Sequence, residues 1–233
     1  IISLMTSFAL RPYKALFFDI DNTLLSFRPS SQVALKKTFE HYELPYKSEY
    51  FEVFYWIGEI LWSQQRQELM TIDQIQELIF PRLLLALGLQ ADGRAMNITF
   101  HELLHQEAVL EPNALETIQA LSQHHRLYTA SNGFLSMQRS RLEVAGLLPY
   151  FTDLFVSDDI GAEKPSPAFF EEALRRGDLR PEEVLFIGDS LSADMIGAER
   201  IGMDRCWYNP NERPRPVAPT LTFEINSLSE LPH

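Results

Sequence analysis

The stretch Lys14-Ala-Leu-Phe-Phe-Asp19-Ile-Asp21-Asn-Thr23-Leu-Leu25 decides how this chain folds. An unbroken apolar run from Ala15 to Phe18 ends abruptly in two carboxylates one residue apart, followed by Asn22 and Thr23. Apolar residues without alternation predict a strand buried on both faces, as inside a parallel sheet. Residues i and i+2 of an extended chain point the same way, so Asp19 and Asp21 emerge together at the carboxyl end of that strand. Two carboxylates placed there repel each other unless a cation lies between them, and oxygen ligands of this kind suit Mg²⁺. A lone D-x-D also fits a solvated loop, so the rest of the chain has to supply the partners of a site.

Nothing between Ser26 and Leu110 has the period of a strand. Apolar spacing predicts helices over residues 31–42, 48–69, 74–87 and 92–109, with Pro45 breaking the first and Gly88 ending the third. The second is rich in aromatics: Tyr50, Phe54, Ile57 and Leu61 share one face, while Phe51, Tyr55 and Trp62 fall on a neighbouring one. From Glu111 the rhythm changes. Helices over residues 113–123, 135–145, 167–176 and 193–201 alternate with strands over 126–130, 154–156, 184–187 and 205–208, and 221–225 adds an edge. This alternation implies right-handed βαβ crossovers. The predicted fold class is α/β: a Rossmann-like parallel sheet flanked by helices, from residues 11–25 and 111–233, with an all-helical unit of residues 26–110 inserted after the first strand.

The net charge of −12 argues against a sequence-independent grip on a nucleic acid polymer or an anionic membrane, both of which need a basic surface. A small phosphorylated metabolite in a local positive pocket remains compatible with it. Cys206 stands alone, which excludes an intrachain disulfide and points to a reducing, cytoplasmic setting. Residues 1–10 are apolar but lack a basic flank and are too short to span a bilayer. Ile1 to Leu4 precede Met5 and are expected to be an artefact of the start of the sequence.

In an open parallel sheet, function gathers at the carboxyl ends of the strands. Four such ends carry polar residues here: Asp19/Asp21, Ser131-Asn132, Glu163-Lys164-Pro165, and Asp189 with Asp194. In this order they resemble the four motifs of the haloacid dehalogenase-like superfamily of phosphohydrolases, over the α/β part from Lys14 to about Tyr208. The helical insert stands where that family places its cap. The resemblance implies a nucleophile at Asp19, which would form an aspartyl-phosphate, and a general acid/base at Asp21. It implies phosphate binding by Ser131, Asn132 and Lys164. It also implies Mg²⁺ held by the Asp19 carboxylate, the Asp21 main-chain carbonyl and Asp189, with Asp194 orienting Lys164 or metal-bound water. Dehalogenases usually lack an aspartate at the position of Asp21, because a halide leaves without a proton. Its presence here favours phosphate esters.

The helical insert resembles the cap of pyrimidine 5′-nucleotidase-like members through Ile57-Gly58-Glu59-Ile60-Leu61-Trp62, Arg66, Leu69-Met70-Thr71 and Arg82, and Asn132-Gly133-Phe134 matches their second motif. Gly58 departs from the usual asparagine, and Pro81-Arg82-Leu83 from the usual Arg-Phe. The expected substrate is a nucleoside 5′-monophosphate, with Tyr55, Trp56 and Trp62 as candidate cap residues against the base. Alternatives within the fold are a phosphoglycolate- or sugar-phosphate phosphatase and a phosphomutase. A catalytically idle binding module is a further one. His101-Glu102-Leu103-Leu104-His105 is formally the H-E-x-x-H zinc metalloprotease pattern. Ala108 stands where that pattern's continuation needs glycine, and the expected reading is a cap helix with its polar residues turned outward.

Overall fold

The run Ala15–Phe18 forms β1, buried at every position, in a computed structural model that describes residues 13–231. Residues 1–12, which include the apolar segment and the expected start artefact, and residues 232–233 lie outside the described part. After β1 the chain forms four helices before it returns to the sheet: α1 (Phe27–His41), α2 (Ser48–Arg66), α3 (Ile72–Leu87) and α4 (Gly93–Leu104). The alternating part follows as α5 (Ala114–Leu121), β2 (Arg126–Ser131), α6 (Leu135–Val144), β3 (Asp153–Val156), the short α7 (Ser157–Ile160), α8 (Pro167–Gly177) and β4 (Val184–Gly188). A π-helical turn over Leu191–Met195 leads into α9 (Ile196–Arg200), β5 (Asp204–Tyr208) and β6 (Phe223–Ile225).

The six strands make one sheet in the order β3-β2-β1-β4-β5-β6, and every pairing is parallel. Strand order reverses between β1 and β4, the switch point where open sheets of this kind hold their ligands. Alternate residues of β1 serve two apolar layers. Ala15 and Phe17 pack with Phe155, Phe170 and Trp207 on one face, Leu16 and Phe18 with Ile118, Leu142 and Ile187 on the other. The inserted helices have an apolar cluster of their own, centred on Phe54, Phe80 and Phe100, with ring centroids 5.1–5.8 Å apart. Met137 and Phe134, at the start of α6, join that cluster from the sheet side.

Predicted boundaries shift by a few residues in most elements, and three of the shifts bear on the site. The first helix begins at Phe27 because Pro29 falls in its first turn, where its missing N–H costs nothing. The fourth ends at Leu104, after which the chain crosses back to the sheet and Ser26 N donates to Val109 O at 2.7 Å. The last predicted helix, 193–201, is α-helical only from Ile196, because its first residues belong to the π turn that carries Asp194 inward. No helix among the described residues is long and apolar enough to cross a membrane.

Candidate active site

The chain turns sharply as it leaves β1. Asp19 N still donates to Ile187 O of β4 (2.9 Å), and then Ile20 O accepts from Leu24 N and Leu25 N, both at 2.9 Å, while Asn22 takes a left-handed φ of 64°. The turn swings Thr23 back under Asp19. Its hydroxyl donates to Asp19 Oδ2 (3.2 Å) and accepts from Asp189 N (3.1 Å), pinning the ends of β1 and β4 together.

Lys164 lies in the loop before α8 and is 2% exposed. Its ammonium makes three bonds of 2.7 Å, to Asp19 Oδ1, Asp194 Oδ1 and Ala130 O, which uses all its donors. The loop itself is clamped: Asn132 Nδ2 donates to Lys164 O (2.9 Å) and Lys164 N to Asn132 Oδ1 (2.8 Å). The Asn132 side chain thus braces the lysine loop, and the residue also lines the cavity that holds Asp19 and Ser131. Asp194 is fully buried and accepts Ser190 N through its other oxygen (3.0 Å). Gly188 makes this approach possible, since a side-chain carbon there would run into the Asp194 carboxylate.

Carboxylate oxygens of Asp19, Asp189 and Asp194 all lie within 4.8 Å of one another, the only such group of metal-ligand side chains among the described residues. Burial raises the Asp19 carboxyl to about 7; Lys164 pulls it down while Asp194 and Asp21 push it up. Asp189 is also held well above the ordinary range, by burial first and then by Asp19 and Asp194. Burial opposes the charge on Lys164, but Asp19 and Asp194 outweigh it and hold its pKa above the usual lysine value. Three carboxylates against one ammonium leave an excess of negative charge with oxygen donors converging. That arrangement fits a hard divalent cation.

Asp21 is held by groups that strand-end reasoning did not find. Arg141 Nη1 bonds Asp21 Oδ1 at 2.6 Å and Gln138 Nε2 bonds Asp21 Oδ2 at 2.9 Å. Gln138 Nε2 also reaches Ser131 Oγ (3.0 Å), and Arg141 Nη1 reaches Gln138 Oε1 (3.1 Å). Both residues come from α6 and are fully buried, so one network joins the expected acid to the expected phosphate-binding hydroxyl. Their i, i+3 spacing put them on one helix face in the sequence.

The inserted helices close over these residues. Gln65 of α2 donates to Glu163 Oε2 (2.7 Å) and Lys164 O (3.1 Å), and Ile72 N of α3 donates to Glu163 Oε1 (3.0 Å). A cavity of about 700 Å³ lies between the two parts, with Asp19, Asp21, Ser131, Lys164 and Asp189 on one wall and Phe54, Tyr55, Trp62, Gln76 and Phe100 among the residues opposite. Of the three candidate cap residues, Tyr55 and Trp62 line it. Trp56 does not: it is 64% exposed and faces solvent, because it follows Tyr55 by 100° around α2. His101 is turned inward onto Gln76, which corrects the expectation of an outward polar face, and no third ligand joins His101 and His105 among the described residues. Cys206 is buried, and burial raises its thiol far above the usual value, so it is no nucleophile.

The paired aspartates, the buried lysine and the second acidic strand end thus meet at the switch point of a Rossmann-order sheet. The family model described as haloacid dehalogenase-like hydrolase matches residues 13–202, and the chain belongs to that family. It is 34% identical over 225 residues to the HAD-hydrolase YfnB of Bacillus subtilis, covering 96% of each chain. A crystal structure of that protein bound to magnesium superposes with a TM-score of 0.89, covering 95% of this chain and 97% of that one. The pyrimidine 5′-nucleotidases PynA of Streptococcus pneumoniae and YjjG of Escherichia coli are each 29% identical, over 94% and 93% of this chain and 93% and 95% of their own lengths.

The Gln138 bridge leads to a specific expectation. On the reading of Asp21 as the acid that protonates the leaving oxygen, Gln138→Leu should lower kcat/KM, which reports the steps up to ester cleavage and not the later attack of water, about tenfold more on an alkyl phosphate than on p-nitrophenyl phosphate, whose phenolate leaves unaided. Steady-state kinetics on the two esters checks this. Equal losses on both would mean that Gln138 acts through Ser131 or packing and does not aim Asp21.

Proposed function

We propose that this protein is a Mg²⁺-dependent phosphomonoesterase that works through an aspartyl-phosphate on Asp19 and takes a nucleoside 5′-monophosphate. The observation that carries the reading is the Lys164 ammonium, bonded at 2.7 Å to both Asp19 and Asp194 beside Asp189. Such a group holds a nucleophilic carboxylate next to positive charge at the place where a phosphate dianion would arrive.

In this reading Asp19 Oδ attacks phosphorus, and the bond from phosphorus to the ester oxygen breaks as Asp21 gives that oxygen a proton. Asp21 then takes a proton from water as the water oxygen attacks phosphorus; the Asp19–phosphorus bond breaks, and inorganic phosphate and free Asp19 result. Ser131 Oγ holds a phosphoryl oxygen and the charge of Lys164 offsets that of the phosphoryl group, while Thr23 and Arg141 keep Asp19 and Asp21 in place. Asp19 and Asp189, with Asp21 contributing its carbonyl, would hold Mg²⁺, which supplies charge neutralisation between carboxylate and phosphate. The helices α1–α4 act as the cap over the site.

The nucleotide part of the reading is supported by the room in the cavity, by its aromatic wall, and by the two nucleotidase relatives. Phosphate release from a panel of phosphomonoesters is the test. With Mg²⁺, UMP, dUMP and dTMP should rank above sugar phosphates and phosphoglycolate, and EDTA should abolish turnover of all of them. Sugar phosphates ranking first would sink the nucleotide assignment, and full activity in EDTA would sink the metal.

A further inference from the structure

At the end formed by α3 and α4, the same cavity is lined by Gln76, Asn97 and His101, three polar side chains that the hydrolytic chemistry does not use. Asn97 Nδ2 donates to Gln76 Oε1 at 3.0 Å, and His101 Nε2 bonds the same oxygen. Burial, with His105 as the smaller cause, lowers His101 to about 4, so the ring is neutral at pH 7 and carries one N–H. With that N–H on Nε2, two donors converge on one amide oxygen and saturate its lone pairs. The orientation of the Gln76 amide is thereby set. Its NH₂ has no partner among the described residues, and Gln76 is half-buried on the cavity wall. Asn97 is only 7% exposed, and Asn97 Oδ1 and His101 Nδ1 are buried with no partner either. Buried polar atoms left unpaired cost stability, and a cluster of them on a cavity wall needs a reason other than packing.

The walls around this cluster are flat and apolar. Phe54, Phe100 and Phe134 line the cavity with it, and the Phe134 ring stands edge-on to His101 at 5.9 Å between centroids. Aromatic walls of this kind offer a planar heterocycle faces and edges to pack against. We infer that the amide NH₂ of Gln76, held in place by Asn97 and His101, donates to a ring carbonyl on the leaving group, and that this end of the cavity is a subsite for an oxo-substituted pyrimidine. The inference rests on the phosphomonoesterase reading above and specifies its substrate. A pyrimidine joined to its sugar through N1 keeps one carbonyl beside the sugar and presents position 4 at its far edge. Uracil and thymine have an accepting oxygen there, whereas cytosine has a donating amino group that would meet the Gln76 donor head-on.

The test measures kcat/KM for UMP, CMP and p-nitrophenyl phosphate in the wild-type protein, in Gln76→Leu and in Gln76→Glu. The wild type should favour UMP over CMP by about tenfold, the scale of one hydrogen bond made or opposed. Gln76→Leu should lower the UMP to p-nitrophenyl phosphate ratio by about tenfold and erase the preference over CMP. Gln76→Glu, which offers an acceptor in place of the donor, should turn the preference toward CMP. Unchanged ratios in folded Gln76→Leu and Gln76→Glu proteins would overturn the assignment of Gln76. Wild-type protein that hydrolyses p-nitrophenyl phosphate but neither nucleotide would overturn the subsite and the nucleotide reading while leaving the phosphatase intact. Failure on all three esters would overturn the phosphatase reading with it.

Discussion

Asp19→Asn is expected to reduce phosphate release to background while the protein stays folded. An amide is no nucleophile toward phosphorus, and no other side chain in the cavity wall stands where Asp19 does, at the end of β1 and against Lys164. The substitution is nearly isosteric. The introduced amide oxygen can accept from Lys164 in place of Asp19 Oδ1, and its NH₂, in place of Oδ2, can donate to the Thr23 hydroxyl, which still accepts from Asp189 N, so the turn that pins β1 to β4 survives. It also removes one of three mutually repelling carboxylates, and burial already holds Asp19 at about 7, so the apo protein should lose no stability by it. Loss of activity with an unchanged or raised Tm would separate chemistry from folding. Residual turnover near the wild-type rate would refute Asp19 as the nucleophile.

Lys164→Met is expected to damage both function and fold. The lysine is buried among Asp19, Asp194 and the Ala130 carbonyl, and methionine fills much of its volume without its charge. Removing one partner of a buried ion pair leaves uncompensated charge, at a cost of about 3–5 kcal/mol. Urea unfolding in EDTA should show that loss. Added Mg²⁺ should restore part of it, because an ion that binds only the folded state shifts the equilibrium by mass action. Activity should fall by about 10²–10³-fold even with Mg²⁺, the scale for removing one preorganised group that stabilises developing charge. A Lys164→Met protein as stable as wild type in EDTA would mean that the three carboxylates do not burden the apo fold.

The strand ends were legible because each breaks an apolar run with a polar residue, and burial makes such a break costly unless it has a use. Asp19, Ser131 and Asp189 could be picked out this way, and the parallel sheet followed from the same runs; Lys164, in the loop between α7 and α8, was found through the order of the motifs. Gln138 and Arg141 were not legible as partners of Asp21. Polar residues on an amphipathic helix ordinarily face water, and only the packing of α6 against the turn after β1 shows that this polar face is buried. The same limit hid Gln76, Asn97 and His101: a helix period states that residues share a face but not which face meets the cavity. Trp56 shows the converse, an aromatic residue whose neighbours Tyr55 and Phe54 turn inward while it turns out. The 193–201 prediction missed the π turn for a local reason. Asp194 has to reach Lys164 and Ser190 at once, and one extra residue in the turn lets it.

The central claim is that phosphate passes through Asp19. Acid quenching of wild-type protein during turnover of a good substrate, followed by proteolysis and mass spectrometry, tests it most directly. The account predicts a phosphoryl group on the peptide that carries Asp19, formed only with Mg²⁺ present and absent from Asp19→Asn. Turnover with no phosphoryl-enzyme at any quench time, or an adduct that persists in Asp19→Asn, would contradict it.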